Sequence, residues 1–129
     1  MVMQAPFASG NRAKRESSLR EMLLEAVAIY LDEGVPPGCL MVNVSTTEAL
    51  ADEGLAELTR EFFALSDKVV ARWLHERAPD LDRPAALLLS RLVNGVIHDL
   101  ALRARVGETR ARLREHALGA AAALARAAG

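Results

Sequence analysis

The stretch RPAALLLSRLVNGVIHDLALRARVG, residues 83–107, decides the fold class of this chain. Leu89, Leu92, Val93, Val96, Ile97, Leu100 and Ala104 fall on one wide arc of a helical wheel. Arg91, Asn94, His98 and Arg105 fall on the opposite arc. That period of three and four residues belongs to a helix; a half-buried strand would alternate every second residue. Pro84 sits where a first turn tolerates it, so the helix opens at Arg83-Pro84 and runs to about Val106. Gly107 follows as the expected C-terminal cap. Gly95, beside Leu88 and Leu102, interrupts a run of good helix formers and costs about 1 kcal/mol against alanine, which predicts close approach of another backbone there.

The same logic extends in both directions. Downstream, about Glu108 to Ala128, Leu113, Ala117, Ala120 and Leu124 recur at four, three and four along one side, a seam small enough to admit a neighbouring helix closely. Upstream, Ala51 to about Arg77 carries Leu55, Leu58, Phe62, Leu65, Val69 and Trp73 at helical spacing, with Phe63, Val70 and Leu74 on a flanking stripe. Ala78-Pro79-Asp80 ends that helix, because proline disfavours helical geometry in the residue before it. Further back, Ser18 and Glu21 match a capping box, which predicts a helix from there to about Glu33 with Leu19, Met22, Leu23, Ala26, Val27, Tyr30 and Leu31 on its apolar stripe. Arg20, Glu21 and Glu25 lie outside that stripe, and Gly34, Pro36 and Pro37 stop the helix. Cys39 to Thr47 leans towards β-structure by propensity. A lone strand would leave its backbone groups unpaired, so a short buried helix is expected instead. Residues 1–16 show no sustained apolar period and read as a flexible lead-in, with residues 17–129 as the one folded domain.

Composition agrees with an all-α bundle of about five helices. The chain has 129 residues, 51% hydrophobic but only 4% aromatic, so alanine and leucine must fill its core and a sheet is disfavoured. Net charge is −1, which lacks the field of a nucleic-acid binder, yet the charge is unevenly placed: +3 over residues 1–15, −9 over 16–82 and +5 over 83–129. One cysteine permits no internal disulfide and suits a reducing compartment. The apolar runs are shorter than a membrane span and no signal-peptide pattern opens the chain, so a cytoplasmic location away from any membrane is expected.

Three features in order carry a resemblance: Pro37-Gly38-Cys39-Leu40-Met41-Val42-Asn43 after an amphipathic helix, a long helix with interleaved aromatics, and Leu92-Val93-Asn94-Gly95-Val96 leading through Gly107 to an alanine-rich final helix. Together they resemble the C-terminal regulatory domain of TetR/AcrR-type transcriptional repressors, over roughly residues 17–128. The resemblance implies an antiparallel helical bundle whose last two long helices pair with their copies in a homodimer. It also implies a mainly apolar effector pocket surrounded by the helix near Cys39, the aromatic-bearing helix and the helix with Asn94. Members of the family begin with a helix-turn-helix DNA reader, and residues 1–16 are too few to hold one, so DNA is expected to be reached only through a domain that this sequence does not include.

Candidate ligand contacts are then Cys39, Asn43, Phe62, Trp73, Asn94 and His98, and candidate dimer contacts Leu92, Gly95, Val96, Leu113, Ala117, Ala120 and Leu124. Each has a plainer alternative. Cys39 equally suits a small buried hydrophobe, Phe62 and Trp73 core packing, Asn43 a backbone-satisfying role, and Asn94 with His98 a solvated or interfacial polar face. The basic run Arg103, Arg105, Arg110, Arg112 and Arg114 lacks interleaved aromatics and reads as a solvated face. His75, His98 and His116 are too dispersed for a metal site, and no nucleophile–base pair or phosphate loop is present, so neither cofactor nor catalysis is expected. Two functions remain: a ligand-sensing, dimerising domain for a small apolar or aromatic effector, or a stand-alone helical module that sequesters a paralogous regulator.

Overall fold

The computed structural model describes residues 4–32 and 51–128, with side chains from Arg12 onward. They form four helices: α1, Gln4–Tyr30; α2, Glu53–Arg77; α3, Arg83–Arg105; and α4, Arg110–Ala127. No strand occurs among the described residues. The short helix expected near Cys39 lies outside them.

Local chemistry sets most of the boundaries. Asp52, Asp82 and Thr109 stand in extended conformation before α2, α3 and α4, and their side chains accept from the amides of Leu55 (3.2 Å), Ala85 (2.8 Å) and Arg112 (3.2 Å). Each satisfies a donor that the first turn leaves without a helical partner. Pro84 occupies the first turn of α3, and α2 stops before Ala78-Pro79, both as expected. At the end of α3 the Glu108 amide donates to the Arg103 carbonyl and the Gly107 amide to that of Ala104, both at 3.1 Å. This paired closure needs a left-handed residue, which Gly107 supplies at φ +88°. Where such closures often carry an apolar contact, this one has an ion pair, Arg103 to Glu108 at 3.4 Å.

The start of α1 differs from expectation. Ser18 is not a cap: the helix passes straight through it from Gln4, so much of the supposed lead-in is helical. Pro6 is tolerated in the first turn, and the helix formers Ala13, Lys14, Arg15 and Glu16 extend an existing helix at little cost. Arg15 is also tied down. Only 3% exposed, it donates to Asp80 in the α2–α3 connection at 2.7 Å. No apolar period announces this segment, and among its described side chains the Arg15–Asp80 ion pair is a tie that spacing along the sequence does not show.

The core joins all four helices through Leu19, Leu23 and Val27 of α1, Val70 and Leu74 of α2, Leu89, Val93 and Leu100 of α3, and Leu113 of α4. Each fully buried leucine contributes about 1.5–3 kcal/mol by leaving water. The most extensive joints are α1 on α4 and α2 on α3. Ala117, Ala121 and Ala125 continue the face begun by Leu113, all completely buried, and their small size is what lets α1 lie close. Buried hydroxyls are satisfied within their own helices: Thr59 donates to Leu55 O at 2.7 Å and Ser90 to Leu87 O at 2.6 Å.

Candidate ligand groove and exposed helical face

α1, α2 and α3 enclose between them a groove of about 490 Å³, within the range of small-molecule sites. From α1 come Glu21, Met22, Glu25, Ala26, Ile29 and Tyr30; from α2, Val70 and Trp73; from α3, Ile97. The floor is apolar because Val70 and Ala26 belong to the core, whereas the two carboxylates stand at the exposed rim. Trp73 is half-buried, and the Arg77 guanidinium lies 4.3 Å from its ring centroid, one turn along the same helix.

The remaining described ligand candidates gather elsewhere. Asn94, which the helical wheel put on a polar arc away from the apolar face, is buried against α2 and donates to Asp67 at 2.9 Å. Arg91 reaches the other oxygen of Asp67 at 3.6 Å. His98 packs on Phe63 with ring centroids 5.3 Å apart, and Phe62 tilts against Phe63 at 5.8 Å. Stepping down α2 from Asp67 to Phe63 the partner steps up α3 from Asn94 to His98, the register of an antiparallel pair. The polar arc is thus an interhelical seam, and burial pushes the His98 imidazole below its ordinary value against the opposing pull of Asp67. Beside this seam a second hollow of about 370 Å³ is rimmed by charged Arg60, Asp67, Lys68 and Arg91.

Of the six ligand candidates, only Trp73 lines the larger groove. Phe62, Asn94 and His98 do not, and Cys39 and Asn43 lie outside the described residues. Helix α1 supplies most of the lining in place of the Asn94 face. The sequence reading missed Glu21, Glu25 and Ile29 as site residues; the available signal was an acidic pair one turn apart flanking the apolar stripe.

The dimer candidates also divide. Leu113 (1% exposed) and Ala117 (0%) are consumed within the chain by α1, which leaves them no surface for a partner. The alanine seam receives a neighbouring helix as expected, but that helix is the chain's own. Ala120 and Leu124 are half-buried at its edge, as is Val96 on α3. Gly95 has no atom of the described residues within 4 Å of where a side chain would begin, so the close backbone approach expected there is not made by any described part of this chain. Leu92, placed on the buried arc, is 46% exposed. With Leu88, Gly95, Leu102 and Val106 it forms an open stripe along α3, broken by Asp99, which holds Arg103 at 2.7 Å and His116 of α4 at 3.2 Å.

By length and composition α3 is the one helix among the described residues that matches a membrane span, a test that buried helices of soluble bundles also pass. Comparison with known protein families, curated proteins and solved structures finds no match to this chain.

Proposed function

We propose that this chain is a ligand-sensing, dimer-forming regulatory domain of TetR-like type, cytoplasmic and without catalytic activity. The observation that carries the reading is the groove: a largely apolar hollow of about 490 Å³ among three helices, with the chain's single tryptophan in its wall. In a regulator of this kind the effector acts by linkage. A ligand that binds one packing of α1, α2 and α3 better than another shifts the population between them, and the helices that pair subunits transmit the shift to the DNA readers. Titration with a panel of small apolar and aromatic compounds, followed by Trp73 fluorescence and melting temperature, tests this. Saturable quenching with a rise in melting temperature supports a sensor, and a panel with no response refutes it.

The stripe of Leu88, Leu92, Gly95, Leu102 and Val106 favours a second copy as the partner. Val106 at 83% exposure is costly for an isolated domain to leave in water, and the stripe keeps the four-and-three spacing of a helix–helix seam. The dimer contacts proposed are therefore Leu92, Gly95 and Val96 on α3 with Ala120 and Leu124 on α4. Light scattering at micromolar concentration should give twice the chain mass, and Leu92→Glu should halve it. The same stripe also suits a module that captures a paralogous regulator; a monomer that co-purifies with a full-length paralogue would favour that alternative.

A further inference from the structure

The rim of the groove carries two carboxylates that no basic side chain among the described residues pairs with. Glu21 and Glu25 stand one helical turn apart on α1, and both line the hollow. All sixteen Lys and Arg side chains and all three His fall between Arg12 and Arg126, within the described residues. None forms an ion pair with either glutamate, although Arg60, Arg91 and Arg103 all find acids elsewhere. Like charges at this spacing repel, and the groove lining contains no basic group to offset them.

We propose that the groove takes an amphiphilic organic cation, its aromatic or aliphatic body against Met22, Ile29, Trp73 and Ile97 and its positive centre beside Glu21 and Glu25. This names the chemical class of ligand for the sensing role above and rests on that role. The apolar lining offers nothing to a small hydrated ion, which would give up its water for two carboxylates only. An anion meets repulsion at the rim. A neutral apolar molecule gains from the floor alone, whereas a cation gains from the floor and also relieves the glutamate pair. Trp73 adds aromatic surface to the wall, but one flank of its indole already carries the Arg77 guanidinium, so the preference for positive charge rests on the glutamate pair.

The test compares three probes of similar bulk by Trp73 fluorescence on the full chain: tetraphenylphosphonium, tetraphenylborate and the neutral triphenylmethanol. Tetraphenylphosphonium should bind at least about tenfold tighter than the borate, with an affinity that falls as salt rises. Each carboxylate at an exposed rim is worth up to about fivefold, so Glu21→Gln with Glu25→Gln should weaken the phosphonium about tenfold and leave triphenylmethanol within about twofold. Both substitutions are at exposed helix positions, and an unchanged melting temperature confirms the fold. Equal binding of phosphonium and triphenylmethanol, or a phosphonium affinity indifferent to the double substitution, overturns the cation assignment while leaving the sensor. Failure of all three probes to bind overturns the groove as a site, and the cation with it.

Discussion

Arg15 is the most heavily buried charge on the described surface of this bundle, and removing its partner should cost more than removing the arginine. Its side chain is 3% exposed, one terminal nitrogen reaches Asp80 at 2.7 Å, and its Nε has no hydrogen-bond partner. Asp80 retains 38% exposure, so water screens one end of the pair. Breaking a fully buried pair by deleting one member costs about 3–5 kcal/mol; with half the pair wetted, Asp80→Ala should cost about 2–3 kcal/mol. Arg15→Met removes the charge along with the orphaned Nε while keeping most of the aliphatic stem, and should cost under about 1 kcal/mol. In the Arg15→Met background, Asp80→Ala should then be nearly silent. Urea unfolding followed by far-UV circular dichroism measures all four corners of this cycle, provided the slope with denaturant is constant. An Arg15→Met variant as unstable as Asp80→Ala would refute the reasoning, because it would mean that the contact itself, rather than the stranded charge, carries the energy.

Other expectations concern glycine, histidine and alanine. Gly95→Ala should stabilise an isolated chain by about 1 kcal/mol, since the added methyl meets nothing within 4 Å, yet weaken self-association if a partner helix lies on the α3 stripe; thermal melts at two concentrations separate the effects. Gly107→Ala should cost about 1 kcal/mol or more, read in the same melts, because φ is +88°. Burial lowers the His98 pKa, so below about pH 6.5 the unfolded chain takes up the proton first, and stability present above that value declines as pH falls. His98→Gln should flatten this slope in urea titrations between about pH 7 and pH 5. Ala121→Leu should cost about 1–3 kcal/mol by overpacking the α1–α4 joint, measurable as a lower urea midpoint.

How much of this was legible in the sequence depends on which force set each feature. Boundaries made by local chemistry were readable: Arg83 with Pro84, Ala78 with Pro79, and Gly107 all act through a few neighbouring residues. The start of α1 was not, because Arg15 pairs with a residue 65 positions away and leaves no periodic trace. On α4 the obstacle was degeneracy. Alanine fills positions 120 to 123, so Leu113-Ala117-Ala120-Leu124 and Leu113-Ala117-Ala121-Ala125 read equally well, and only packing on α1 selects the second. Trp73 was recognisable as a wall of a hollow, whereas its companions Glu21, Glu25 and Ile29 come from a helix more than 40 residues away in sequence. Asn94 and His98 were read from a wheel that shows one helix at a time and cannot show that α2 covers the polar side.

The buried face of α4 beyond Leu113 is built from the smallest side chain that still favours a helix. Truncation there has almost nothing to remove, while nearly every other substitution adds atoms to a joint closed to solvent, where interiors are close-packed. Mutational tolerance along this face is therefore one-sided. A library randomised at Ala117, Ala121 and Ala125 should return alanine, glycine and serine, and variation of this chain over time should be narrow at three positions whose chemistry, taken one residue at a time, is the least distinctive in the molecule.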